Sequence, residues 1–334
     1  MKIGYFADGP WAHLALERIL ADRRFAIAFI VPRFDTRDPV LAGHASRLGI
    51  DFLLLEDIND ATSIERLCGF GAELFVSMSY NQIFSEAVIA SAPRGVINCH
   101  AGALPFYRGR NILNWALIND AKSFGVTVHY VNAGIDTGDI ILQRLLPISD
   151  HDDYATLLSR AIAACAETLV ESLDQIARDT TVRTRQSSIH PIGTYFGRRR
   201  PGDEWIDWTW SSRRIFNFVR ALAPPGPAAR TLRSSEVIEI LAAAQIEHAV
   251  DYIATPGEVV GQTGQGAVIK TGDSTLLLTR VRSASSKPLR IGARLGLDPL
   301  ATLAALEQRV RELEQAVAEL HDRSPAGISE PAPR

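Results

Sequence analysis

Seven short apolar runs recur through the first 150 residues, and segments patterned for helices lie between them. The runs read "KIGYFA", "FAIAFIV", "DFLLL", "ELFVSM", "GVINCH", "GVTVHYV" and "DIILQRLL", separated by "WAHLALERILAD", "VLAGHASRLG", "ATSIERLCGF", "FSEAVIASA" and "NILNWALIND". Strands that alternate with helices cannot pair as hairpins, so they call for crossover connections and a sheet covered on both faces. The fold expected is α/β: a Rossmann-like, largely parallel sheet. The turn after the first run, "ADGPW", is not G-x-G-x-x-G, and no G-x-x-x-x-G-K-[ST] occurs, so nucleotide fingerprints are missing.

The pattern changes after about residue 190. "YFGRRRPGDEWIDWTWSS" is a polar, aromatic connector, "RRIFNFVRALA" reads as a helix, and "PPGPAA" breaks it. "GEVVGQTGQGAVIKTGDSTLLLTRVR" gives short alternating strands joined by Gly-rich turns, expected to form a small antiparallel, OB-like β domain. In "LAALEQRVRELEQAVAELH", Leu303, Leu306, Val310, Leu313, Val317 and Leu320 step by three and four. That is a heptad seam with Val at a and Leu at d, which suits two parallel helices and a homodimer; under three heptads is marginal alone, so packing back on its own domain is the alternative. The expected division is 1–190 catalytic, 191–230 connector with helix, 231–290 small β domain, 298–322 heptad helix and 323–334 disordered tail.

Composition narrows the partners. A net charge of −3 over 334 residues offers no global attraction to nucleic acid or anionic membrane. Cys68, Cys99 and Cys165 are too few and too scattered for a disulfide framework or a metal knuckle. Cys165 falls on the apolar stripe Leu158, Ile162, Cys165, Leu169, Leu173 and Ile176 of a helix capped by Asp152 or Asp153, so it reads as core. The N-terminus becomes charged and helix-patterned too soon for a signal peptide. No apolar run reaches the ~20 residues of a membrane span. A cytoplasmic protein without a metal is expected.

"GVINCHAGALPFYRGRN" ends a strand in an Asn-x-His. Two residues is the strand period, so Asn98 and His100 leave the chain on one side, at a strand tip where open α/β sheets bind ligands. "GIDTGDII" sets Asp136 and Asp139 in a glycine-flanked turn at the end of a neighbouring strand. A carboxylate beside an imidazole fixes its tautomer, and an amide offers an N–H to a developing oxyanion. Asn98, His100 and Asp136 together make an acyl-transfer site whose nucleophile comes from the substrate. Arg108 and Arg110 follow the strand and suit a phosphate. His129 lies on an adjoining strand, as a supporting group or as a plain sheet position.

"NCHAGALPFYRGRNILNWALIND", "GVTVHYVNAGIDTGDIIL" and "YFGRRRPGDEWIDW…IFNFVRALAPP" resemble the formyltransferases that use 10-formyltetrahydrofolate, over about residues 1–285. The resemblance implies that His100 accepts the proton of the attacking amine, Asn98 holds the oxyanion and Asp136 orients His100. It places the folate along 77–84, at Met78, Tyr80, Gln82 and Ile83, and against Asp136 and Asp139. Tyr107, Arg108, Arg110 and Asn114 would bind the acceptor. The similarity leans to the sugar-nucleotide branch: an N-formyltransferase acting on a nucleotide-linked 4-amino-4,6-dideoxy sugar (GDP-perosamine or dTDP-Qui4N type) in O-antigen and related glycans. Methionyl-tRNA formyltransferase, a non-catalytic sugar-nucleotide-binding scaffold and hydrolysis of the donor are the competing readings. "HAGALP" also departs from the family's H-x-S-L-L-P, leaving small Ala101, Gly102 and Ala103 and an acceptor pocket expected to be wider.

Overall fold

A computed structural model describes residues 1–296 and 299–322. All seven apolar runs form strands of one sheet. Strands β1 (Lys2–Ala7), β2 (Ala26–Val31), β3 (Asp51–Phe52), β4 (Leu74–Met78) and β5 (Val96–His100) run parallel, in the order β3-β2-β1-β4-β5. Two longer strands, β7 (Ser123–Tyr130) and β8 (Ile140–Pro147), close the edge antiparallel. A two-residue strand β6 (Arg108–Gly109) leaves this sheet and pairs with β9 (Tyr195–Phe196) of the connector.

Helices α1 (Gly9–Leu20), α2 (Pro39–Leu48), α3 (Ala61–Gly69), α4 (Glu86–Ala90), α5 (Ile112–Ile118) and α6 (Tyr154–Ala177) fill the crossovers and flanks. Period-two alternation sends Ile3, Tyr5 and Ala7 of β1 into the core under α1, α5 and α6, and Phe6 into the opposite core. On that second side a Cβ on Gly4 would collide with the rings of Phe29 and Phe75, so the glycine makes room for the aromatic cluster. Asp153 caps α6 in a capping box with Thr156. Cys165, Leu169, Leu173 and Ile176 of the expected α6 stripe are buried, and only its first turns shift by one residue, with Leu157 and Ala161 buried while Leu158 and Ile162 are half-buried. Small alanines let the sheet approach closely, which rotates the longer leucine to the margin.

The N-terminus of α1 explains the missing nucleotide fingerprint. Doubly wound folds place phosphate there. Here Asp38 takes the position, accepting from Gly9 N at 2.6 Å and pairing with His13 Nε2 at 2.8 Å.

The chain continues through a one-turn helix α7 (Gln186–Ile189) and β9 to α8 (Ser212–Leu222), capped by Ser211. Strands β10 (Ala229–Arg233), β11 (Glu236–Gln245), β12 (Val259–Thr263), β13 (Gly266–Lys270) and β14 (Thr275–Ser283) form an antiparallel sheet in the order β10-β11-β14-β13-β12. Helix α8 joins the two halves: Ile215, Phe218 and Leu222 bury in the second core, while Arg213 pairs with Asp120 and Asp150 beside α5. Helix α9 (Pro299–Asp322) carries the heptad seam. The tail at 323–334 and part of the seam, including the Leu320 side chain, lie outside the described residues. Among the described residues no helix is long and apolar enough to cross a membrane, and no cluster of metal-ligating side chains is present.

Candidate active site

Antiparallel pairing of β5 with β7 puts Asn98 opposite His129 and His100 opposite Thr127. The Asn98 amide nitrogen lies 3.3 Å from His129 Nε2. The turn after β7 returns Asp136 to the strand tips. Its carboxylate lies 3.7 Å from His100 Nδ1 and 3.5 Å from His129 Nε2, and accepts from Gly109 N at 2.9 Å. Asn98, His100 and Asp136 therefore meet at one strand tip, with His129 as a fourth member on the far side of the carboxylate.

Burial pushes the Asp136 carboxyl up, but the charge of His100, the hydrogen bond and charge of His129, and the Gly109 N–H outweigh it. The group is held well below the usual carboxylate range and stays ionised. Asp136 adopts a left-handed backbone at φ 52°, unusual for a side-chain-bearing residue. Gly138 makes the turn possible by a different route, because a Cβ there would drive into the Tyr130 carbonyl.

A carbonyl only accepts, so the His100 Nε2 that lies 2.7 Å from Tyr107 O carries the proton of that bond. Gly102 allows this approach: a Cβ there would crowd both His100 Nε2 and the Tyr107 carbonyl oxygen. The space left by Gly102 is thus taken by the imidazole and the Tyr107 carbonyl rather than added to a pocket. Likewise His129 Nδ1 donates to Tyr130 O at 2.8 Å, leaving Nε2 to face Asn98 and Asp136.

The residues expected to hold the acceptor divide. Tyr107 stacks on Phe196 (5.1 Å, 14°), Phe196 on Trp115 (5.5 Å, 28°), and the Arg199 guanidinium lies 5.6 Å from the Trp115 ring. Arg110 is exposed, with no ion pair or side-chain hydrogen bond among the described residues, and Arg198 matches it. The two stand on neighbouring segments, since Arg110 N donates to Phe196 O and Arg199 N to Asn111 Oδ1. Arg108 differs from the expectation: its guanidinium is spent on Gln186 Oε1 (3.0 and 2.7 Å) and Ile192 O (2.9 Å). Asn114 differs too, being buried and donating to Ala221 O at 2.6 Å, which ties α5 to α8. Both are polar residues whose neighbours only the fold supplies.

On the donor side, Met78 is buried in the core. Gln82 staples the loop before α3, accepting from Ile58 N and donating to the Leu55 and Glu56 carbonyls. Those two side chains are structural rather than open to a ligand. Tyr80 packs among Phe6 and Phe84 with its hydroxyl buried and without a partner, and Asn81 Oδ1 is buried and unpartnered beside it. Ile83 is exposed, and the Asp139 carbonyl accepts from Tyr130 N at 2.9 Å. Two orphaned polar atoms at the end of β4 are what a slot for a hydrogen-bonding heterocycle leaves.

Sequence reasoning missed Gln186. Its Nε2 donates to the carbonyls of Asp136 and Gly138, both at 2.8 Å. A glutamine in a polar connector carries no pattern that marks it. His129 did have a signal, its place on the strand paired with the Asn-x-His strand.

Comparison with known proteins gives the family. The pattern described as "Formyl transferase" matches residues 56–173, and "Formyl transferase, C-terminal domain" matches 199–295. Methionyl-tRNA formyltransferase of Roseiflexus sp. (strain RS-1) is 30% identical over 299 residues, covering 86% of this chain and 90% of its own. That of Fusobacterium nucleatum is 34% identical over 235 residues, covering 70% and 74%. Among solved structures, an N-formyltransferase from Helicobacter canadensis in complex with folinic acid and dTDP-3-aminofucose superposes with a TM-score of 0.66 at 19% identity, covering 84% of this chain and 100% of that one. The sugar 3N-formyl transferase WlaRD gives 0.62 at 20% identity, covering 86% and 99%. With both family patterns matched and the Asn-His-Asp cluster assembled at the strand tips, the chain belongs to the formyl transferase family and is a formyltransferase.

Proposed function

We propose that this enzyme moves the formyl group of 10-formyltetrahydrofolate onto the amine of a nucleotide-linked amino sugar. The observation that carries the acceptor class is the pair Arg110 and Arg198, exposed beside the catalytic loop with no acidic partner among the described residues. Two exposed arginines on neighbouring segments suit the two phosphates of a diphosphate. By contrast, Arg213, Arg230, Arg233 and Arg282 of the second half are neutralised by Asp120, Asp150, Glu204, Glu236 and Glu239. A long cationic track for RNA is therefore interrupted. The dTDP-sugar named with the Helicobacter canadensis structure fits the same reading. A 4-amino-4,6-dideoxyhexose, and a use in O-antigen glycans, follow from the sequence resemblance.

The residues then divide the work. The acceptor amine takes the place of the Tyr107 carbonyl against His100; with that bond given up, the imidazole carries its proton on Nδ1, towards Asp136, and Nε2 is free to act as the base. As the amine nitrogen bonds to the formyl carbon, the carbonyl electron pair moves onto oxygen, where an Asn98 N–H holds the charge. His100 removes the amine proton, and Asp136 stabilises the resulting imidazolium. The same proton is returned to N10 of the folate as its bond to the formyl carbon breaks, leaving an N-formyl sugar and tetrahydrofolate. General base and oxyanion donor contribute about 10²–10⁴-fold and 10²–10³-fold respectively. Tyr80 Oη and Asn81 Oδ1, buried without partners, suit the folate heterocycle.

Transfer to methionyl-tRNA is the second reading, favoured by the 30–34% identity to such enzymes and by exposed Lys287, Arg290 and Arg294 on the second half. A mass-spectrometric assay offering GDP-, dTDP- and UDP-linked amino sugars beside methionyl-tRNA, with His100→Asn as control, separates the two. Gain of one CO on a sugar nucleotide supports the proposal. Formylation of the tRNA alone refutes it.

Helix α9 adds an assembly proposal. Leu303, Leu306, Val310 and Leu313 are each about half exposed along one stripe. A second copy in parallel would bury them and set Arg309 at g against Glu314 of the partner subunit at e; the antiparallel arrangement opposes like charges.

A further inference from the structure

One side chain lies beneath both halves of the site. Gln186 opens α7 and is 3% exposed. Its Nε2 donates to the Asp136 and Gly138 carbonyls, and its Oε1 accepts from Arg108 Nε and Nη2. An amide has two N–H bonds and an oxygen with two lone pairs, so every hydrogen-bonding position is used inside the protein. Gly109, next to Arg108, donates its own N–H to the Asp136 carboxylate. The contacts close a ring: Asp136 backbone, Gln186, Arg108, Gly109, Asp136 side chain.

That ring has a task. Between β7 and β8 the turn at 132–138 is held locally by Asn132, which accepts from Thr137 Oγ1 and Gly134 N. The left-handed backbone of Asp136 is of the kind that persists only where surroundings over-determine it. The connector itself is pinned elsewhere, by the paired Thr184–Ile140 bridge. Gln186 is thus not needed to dock the connector, and its amide is aimed at the turn.

We propose that Gln186 is a positioning residue for formyl transfer, holding the Asp136 carboxylate in register with His100 and His129 by locking the acid turn onto the Arg108–Gly109 segment. It touches no reacting atom, so it acts through Asp136. Arg108 is the other half of the lock. The charge at 108 serves Gln186, and phosphate recognition falls to Arg110 and Arg198.

The inference rests on the formyl-transfer reading of this site. Gln186→Glu tests it: the carboxylate still accepts from Arg108 but cannot donate to the Asp136 and Gly138 carbonyls. Gln186→Leu removes all four bonds. Displacements of about 1 Å in a reacting constellation cost on the order of 10² in rate. The expected result for Gln186→Glu is kcat lower by about 10²-fold per folded molecule, with KM for both substrates within roughly threefold, alongside a lower melting temperature because two carbonyls lose their donor. A purely structural role would move the melting temperature and leave kcat per folded molecule intact. Wild-type kcat in whichever variant folds overturns the inference. Wild-type protein that transfers no formyl group in the same assay overturns the function reading instead, so the two failures are distinct.

Discussion

Substituting Gly138 with alanine separates the turn from the strand it leans on. A methyl there would lie 2.7 Å from the Tyr130 carbonyl carbon and nearer still to its oxygen. Carbon atoms in contact sit about 3.5–4.0 Å apart, so the turn must retreat by about 1 Å. Tyr130 cannot yield in its place, since it is the ladder partner of Ile97 in β5. Asp136 is already 3.7 Å from His100 and 3.5 Å from His129, and a further ångström separates the charges. Overpacking costs about 1–3 kcal/mol of stability, and a misplacement of that size about 10²-fold in rate. Steady-state formyl transfer, normalised to the folded fraction from calorimetry, should show kcat down about 10²-fold. Gly264→Ala has open space at its Cβ and should match wild type. A Gly138→Ala enzyme within threefold of wild-type kcat would refute the claim that this turn sets the site.

Asn98→Ala removes the proposed oxyanion donor and should lower kcat by about 10²–10³-fold with little change in KM, read by the same assay. Arg110→Ala should raise KM for the sugar nucleotide, more at low ionic strength than at high, and leave the folate KM alone; equal loss on both substrates would count against a phosphate role. Arg213 holds Asp120 down to about 2, chiefly through its hydrogen bond. A depressed carboxylate contributes stability that is complete above about pH 4 and lost as pH falls toward 2. Wild type and Arg213→Met should therefore differ in urea midpoint at pH 6 and converge near pH 2. Ending the chain at residue 298 should give a monomer by light scattering with transfer intact; a full-length chain that is monomeric from micromolar to millimolar concentration would remove the case for pairing through α9.

The seven strands, the α8 helix and the antiparallel second sheet were legible because hydrophobic period is local and each element buries one face. The strand period also put Asn98 and His100 on one side, and the glycine-flanked turn marked Asp136, before any contact was known. What the sequence could not supply was the partner of each polar side chain. Arg108 and Asn114 read as ligand-facing yet spend their donors on Gln186, Ile192 and Ala221. Arg110, two residues from Arg108, keeps its charge exposed. Gln186 has no sequence signal, because its role depends on two carbonyls about 50 residues back in the chain. Local pattern determined the elements and the chemistry of the strand tip. Tertiary structure decided which polar groups the fold itself consumes and which remain for a substrate, since hydrogen-bond valence is settled only when distant segments meet.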